Sequence, residues 1–400
     1  MEILMSDNIF NTRRRFLQGA GLASVAPFCP GLSFGATSSA SDQRFVMVIL
    51  RGAMDGLAAV QPYGDAAYAE LRPTLAVNEN QLLKLDSFFG LHPQLMSLAQ
   101  MYDEGELSVF HALATPYRER SHFDGQNVLE TGLDNPDLGM SGWLNRSVPY
   151  LLSSNSNNGA AAMGIGQTTP KILDGQYDTA SWAPAVLPEP TTNTVNELLS
   201  LYNQDSFLGE RFTQGLLAKE LAASMEDTSS SRRGQNFSVL ATAAGNFLSQ
   251  DNGPLIAVLE SSGWDTHANQ GSQQGQLTNQ FAELDAGMLA LKKSLGSTWN
   301  NTMVLVVTEF GRTAAENGTG GTDHGTASAG FLMGGAVNGG MVHTQWPGLS
   351  AGNLYEGRDL TPTMATHEVF AAILNQHLGI DEASIETGII PGFNGRSLSL

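Results

Sequence analysis

Four short segments of this chain carry carboxylates and imidazoles, the oxygen and nitrogen donors that hold a divalent metal. They are Arg51-Gly-Ala-Met-Asp55-Gly56, Gly263-Trp-Asp265-Thr-His267, Thr308-Glu309-Phe-Gly-Arg312-Thr313 and Gly321-Thr-Asp323-His324-Gly325. Each follows or lies near an apolar run that reads as a buried strand. Donors from distant parts of the chain are therefore expected to converge on one sheet edge, as in a metal-assisted hydrolase.

Taken singly, each segment has more than one reading. Asp55 lies between Gly52 and Gly56, which suits either a plain turn or a close approach of backbone to a ligand. Asp265 and His267 are two apart, so in extended backbone they face the same side and grip one ion together. The other reading makes Asp265 or Thr266 the cap of a following helix. Glu309 ends the apolar run Met303 to Thr308. The adjacent Asp323-His324 pair offers a hard oxygen and a borderline nitrogen at one point, as Zn or Mn prefers, within a loop too rich in glycine to be helix or strand.

A hydroxyl joins these groups in Pro116-Tyr-Arg118-Glu-Arg120-Ser121-His122-Phe123-Asp124, which precedes a helix-like run to Glu130. Two roles fit Ser121. At a helix N-terminus, where free N–H groups favour an anionic oxygen, it is a nucleophile. As an N-cap it pairs with Asp124 in a capping-box-like turn. Arg118 and Arg120 suit a clamp on a tetrahedral anion, and His122 suits metal ligation or donation to a leaving group. His92 and His111 read as residues that finish strands or helices, and His343 and His367 as surface or packing histidines.

The elements that must position these groups alternate. Phe45 to Leu50, Leu107 to Ala112, Ala161 to Gly166, Pro254 to Leu259 and Thr302 to Val307 are continuous apolar runs, as strands covered on both faces are. Leu277, Phe281, Leu284, Met288, Leu291 and Leu295 make one apolar stripe at helical spacing, so they are core. The alternation predicts an α/β domain with a mainly parallel sheet and a site at the carboxyl ends of its strands. Residues 153–159, 182–192 and 227–234 read as surface loops, and about 195–250 as a helical cap over the site.

Residues 1–36 read as a twin-arginine signal peptide. Thr12-Arg13-Arg14-Arg15-Phe16-Leu17-Gln18 precedes an apolar stretch too short to cross a membrane, broken by Gly21, Pro27 and Pro30. The expected partner during export is the twin-arginine translocase, and the expected location is periplasmic or secreted. The chain carries a formal charge of −19. Residues after the signal are more acidic still, which disfavours nucleic acid and anionic lipid. Cys29, the one cysteine, lies in the signal. The exported part therefore has neither disulfide nor thiolate ligand, and a metal must sit on oxygen and nitrogen.

From Arg44 to the C-terminus, RGAMDGLAAVQPYGDAAYAELRPTLA, LHPQL, PYRERSHFDGQNVLETG, GWLNR, DTHANQ, TEFGRTAAENGTGGTDHG and GGAVNGG occur in order. In these motifs residues 43–400 resemble the DUF1501 family of exported bacterial proteins, which is similar in turn to the alkaline phosphatase and sulfatase superfamily. The resemblance implies an alkaline phosphatase-like three-layer α/β/α sandwich holding one or two divalent ions (Zn, Mn, Ca or Mg). It implies hydrolysis of a phosphate or sulfate ester, in a small molecule or a polymer. Asp55, Asp323 and His324 would match one metal site, and Asp265 and His267 the other, with Glu309 as a substitute oxygen ligand. Ser121, His122 and Arg118 would be catalytic. The cysteine-derived aldehyde of most sulfatases is ruled out. A secreted binding or assembly protein that keeps the fold without turnover is the alternative.

Changing both Arg13 and Arg14 to Lys is expected to leave the precursor in the cytoplasm, as read by cell fractionation. Unchanged export would point to the general secretory route.

Overall fold

The computed structural model describes residues 43–136, 139–153, 161–184, 192–202, 236–250 and 253–393, together with Leu398 and Leu400. The signal segment lies outside them, as do most of the three expected surface loops and residues 203–235 of the expected cap.

The strands are β1 (Arg44–Arg51), β2 (Val60–Gln61), β3 (Leu83–Lys84), β4 (Gly90–Leu91), β5 (Leu107–Ala114), β6 (Ala162–Ile165), β7 (Ala180–Trp182), β8 (Ile256–Ser262), β9 (Thr302–Thr308), β10 (Ser328–Met333), β11 (Met341–His343) and β12 (Met364–Ala365). The large sheet runs β11–β5–β10–β9–β1–β8–β6–β7, with β12 beside β5. All its pairings are parallel except those of β10, which is antiparallel to both β5 and β9. The five strands expected from apolar runs are β1, β5, β6, β8 and β9. A separate three-stranded sheet, β2–β4–β3, was not legible in the sequence.

The strands are apolar throughout because both faces are covered. From β1, Val46, Val48 and Leu50 enter one core, with Leu98 of helix Met96–Asp103, Ala241 of helix Phe237–Leu248 and Phe281 of helix Gln276–Leu295. Phe45, Met47 and Ile49 enter the other, with Trp143 of helix Trp143–Ser153 and Phe370 of helix Thr366–Ala372. The fold is therefore a three-layer α/β/α sandwich. Every residue of the Leu277-to-Leu295 stripe is buried. Helix Phe237–Leu248, within the stretch expected to cap the site, buries Phe237, Ala241, Ala244, Phe247 and Leu248 in the flanking layer.

β1, β8 and β9 are central, adjacent and parallel, so their carboxyl ends release Gly52, Gly263 and Glu309 side by side. The loops meet closely enough to exclude side chains. A Cβ on Gly52, whose φ is +115°, would lie 2.7 Å from Asp265 N, and one on Gly321 would lie 2.4 Å from the His267 carbonyl carbon.

His111 sits inside β5 rather than at its end. Ala112 has φ +57°, and the register with β10 slips opposite it, the signature of a bulge. The ring replaces the interrupted ladder: Nε2–H donates to Val60 O at 2.9 Å, and Nδ1 accepts from Ala112 N at 2.8 Å. Both bonds need the neutral imidazole. Burial pushes His111 down to about 4, against the opposing pull of the Val60 carbonyl and Asp55. A group whose folded pKa lies below its unfolded value of about 6.5 adds no penalty above that pH, and costs stability as pH falls from 6.5 towards 4. His111 alone should therefore remove roughly 3 kcal/mol across that window. Denaturant melts from pH 7 to 4 should show the loss, and His111→Gln should flatten the slope. An equal slope in the variant would disprove the assignment.

Candidate metal centre

The loops after β8 and β9 and the start of helix His122–Thr131 bring three imidazoles and a carboxylate together. His324 Nε2 lies 3.0 Å from both His122 Nε2 and His267 Nε2. One oxygen of Asp265, Oδ1, lies 3.0 Å from His267 Nε2 and 3.3 Å from His324 Nε2; the other, Oδ2, lies 3.5 Å from His122 Nε2. His122, Asp265 and His324 form a mutually close set of donors, which His267 joins through the latter two. Donors around one tetrahedral zinc, at about 2.0–2.1 Å from the ion, stand roughly 3.3 Å apart. The separations here match that shell.

Each ring has its far nitrogen held by an acceptor. His122 Nδ1 donates to Glu309 Oε1 at 2.8 Å, His267 Nδ1 to Asp323 Oδ1 at 3.2 Å, and His324 Nδ1 to the Arg120 carbonyl at 3.0 Å. A carbonyl can only accept, and an ionised carboxylate likewise, so Nδ1 carries the hydrogen and Nε2 turns its lone pair inward. Lone pairs 3.0 Å apart repel unless a cation or a proton lies among them. The donor chemistry fits a divalent ion on nitrogen and oxygen.

The electrostatics distinguish the groups. The hydrogen bond to Glu309 outweighs burial and raises the His122 pKa. Burial and the charge of neighbouring His122 lower that of His324. Burial works against the Asp265 carboxylate, yet Arg312, donating to Oδ1 at 2.5 Å, holds it below the usual carboxylate range. Asp265 and His267 side chains remain nearly half exposed, which leaves one side of the cluster open to a ligand.

A family model described as "Protein of unknown function (DUF1501)" matches residues 111–389. The chain belongs to the DUF1501 family. No curated protein matches it in sequence. Similar solved structures include Ps i-CgsB in complex with k-i-k-neocarrahexaose, with a TM-score of 0.43 and 10% identity over 86% of this chain and 73% of that one. The C-terminal periplasmic domain of EcEptC from Escherichia coli, complexed with Zn, gives 0.40 and 10% over 93% and 92%. The lipoteichoic acid synthase LtaP from Listeria monocytogenes gives 0.39 and 13% over 86% and 73%.

In this DUF1501 protein the residues expected to divide between two ions sort differently. Asp265, His267 and His324 meet at one place, and His122 joins them. Glu309 is wholly buried and takes hydrogen bonds from His122, Gly52 N, Gln126 and Thr308, so it orients the His122 ring from behind rather than facing the cluster. Asp323 likewise holds the far side of His267. Asp55 is not brought to the set: its carboxylate caps helix Gly56–Ala59, accepts from Gln270 and pairs with buried Arg72 at 2.7 Å. Arg118 donates to the carbonyls of Thr115 and Tyr117 in its own loop through Nη1. Ser121 is the N-cap of helix His122–Thr131, but its side chain makes no capping bond, and Asp124 instead accepts from Tyr117. The sequence reading assigned no role to Arg312, or to the Arg120 carbonyl. Only the TEFGRT segment hinted at the first.

These assignments separate two carboxylates. Glu309→Gln should weaken zinc binding about 10- to 100-fold, as loss of an outer partner to a metal-bound histidine does. Asp55→Asn should leave zinc affinity unchanged while costing about 3–5 kcal/mol by stranding Arg72. Zinc titration and thermal melts of both variants give the answer, and the reverse pattern would overturn the sorting.

Proposed function

We propose that this protein is an exported, metal-dependent hydrolase of a phosphate or sulfate ester. The observation that carries the reading is the inward convergence of His122, His267, His324 and Asp265, each ring held from behind by its own acceptor. His122, Asp265 and His324 hold the ion, and His267 adjoins them at the open side. When bound, a divalent ion supplies Lewis acidity at an ester oxygen and offsets its negative charge. Three neutral rings and one carboxylate leave the centre with net positive charge, which attracts an anionic ester. Export is supported by the Arg13-Arg14 pair; among the described residues no helix is long and apolar enough to cross a membrane.

Ser121 supplies the attacking oxygen. It precedes the ligand His122 in the chain and stands at the N-terminus of a ten-residue helix, where unpaired N–H groups favour an anion. Its hydroxyl is not spent on capping. In the step proposed, Ser121 Oγ bonds to phosphorus or sulfur as the bond to the leaving oxygen breaks, the hydroxyl proton passing through solvent to the departing alcohol; water then attacks the seryl ester at phosphorus or sulfur, releasing phosphate or sulfate and returning the proton to Ser121 Oγ.

Ser121→Ala should abolish hydrolysis of an aryl phosphate or aryl sulfate by several orders of magnitude with metal retained. Because no capping bond is lost, the melting temperature should fall by less than the ~1 kcal/mol of a typical cap implies. A fully active variant would remove Ser121 from the mechanism. A wild-type protein that holds zinc and turns over neither ester would favour a non-catalytic binding role.

A further inference from the structure

A cleft of about 460 Å3 lies where β5 ends and β12 meets helix Thr366–Ala372, within the ~300–1,000 Å3 of small-molecule sites. It is lined by Arg118, Asp134, Thr363, His367 and Glu368, with Phe393 as an apolar wall. Two of its polar atoms, Thr363 Oγ1 and His367 Nε2, are buried without a hydrogen-bond partner, and His367 is 7% exposed. Buried polar atoms are rarely left so, and two in one cleft point to a ligand that completes them. Arg118 uses only Nη1 on its own loop carbonyls. Four residues on, the same loop delivers His122 to the metal cluster.

The lining selects the ligand class. One guanidinium and two carboxylates share the lining, so an anion meets like charge and a cation meets Arg118. Burial lowers the His367 ring to about 4, with Asp134 pulling the other way, so it is neutral at working pH and its unpartnered Nε2 donates or accepts according to tautomer. Thr363 does both. A neutral group rich in hydroxyls satisfies all of these, and its carbon face suits Phe393. We propose that this cleft is a subsite for an uncharged, polyhydroxylated group, a sugar ring or its equivalent, on the substrate that the metal centre attacks. The proposal rests on the hydrolase reading only in taking that group as part of the substrate.

The test is titration of the full-length chain, both chelator-stripped and zinc-loaded, with a panel of methyl hexopyranosides and with inorganic sulfate, read by calorimetry and saturation-transfer NMR. At least one pyranoside should bind both forms. Thr363→Val should weaken that binding at least tenfold without lowering the melting temperature, because the hydroxyl it removes has no protein partner. Asp134→Asn, an exposed rim change, should weaken it in the same sense. No pyranoside binding, binding equal in Thr363→Val and wild type, or displacement of the sugar by sulfate would overturn the subsite. Pyranoside binding in a protein without ester turnover would support the cleft and count against the hydrolase reading instead.

Discussion

The centre depends on one buried guanidinium. Arg312 is 1% exposed and donates to Gly52 O, Ala53 O, Trp264 O and Thr322 O, and to Asp265 Oδ1. Those acceptors belong to the loops after β1 and β8 and to the glycine-rich loop, while Arg312 itself follows β9. A charge so far from water is tolerable only when its donors are met, and the flat fork of arginine meets five acceptors in nearly fixed directions. A lysine, with three donors on a flexible stem, could not tie the same four segments. Arg312 thus sets where Asp265 stands and keeps it ionised.

The histidines are placed by different means with one result. His122 is fixed by Glu309, whose other bonds go to Gly52 N, Gln126 and Thr308. His324 is fixed by the Arg120 carbonyl, and Arg120 adopts φ +62°. That strained backbone is held by its own side chain, which binds buried Asp359 at 2.9 Å and Glu356. Asp359 also accepts from Thr326, two residues past His324. Phe310 packs on both His122 and His324, at 5.1 and 5.4 Å between ring centres, and fits because Gly125 has no Cβ to meet it at 2.9 Å. Rings so braced lose little freedom when they take up an ion, the condition for a site with defined geometry.

Asp55 shows how like sequence contexts diverge. Asp55 and Asp265 both follow central parallel strands and both have glycine close by. Asp55 turns beneath the loops, where Arg72, Gln270 and the Ala58 amide share it; Asp265 stays at the surface with the imidazoles. The first pair holds up the floor, since Arg72 also donates to the carbonyls of Thr313 and Ala314 just past Arg312. The site therefore stands on two buried arginines with separate carboxylate partners, Asp55 wholly buried and Asp265 nearly half open to solvent.

Much of this was legible in sequence. The runs at 45–50, 107–112 and 302–307 announce buried strands, and the stripe from Leu277 to Leu295 announces a core helix, because burial imprints its period on neighbouring residues. That polar segments gather at one edge was legible, since parallel strands release their carboxyl ends together; that Asp55 turns away from the imidazoles to Arg72 was not. β10 was not, although Ser328–Met333 is buried throughout: its six residues sit behind the glycine-rich loop, and nothing local sets strand direction. Nor could the sequence sort ligands from their supports. Whether a carboxylate faces the imidazole cluster, as Asp265 does, holds the back of an imidazole, as Glu309 and Asp323 do, or pairs with an arginine seventeen residues away, as Asp55 does, depends on which loops meet and which donors are already used. Those are properties of distances across the fold, and only the tertiary structure contains them.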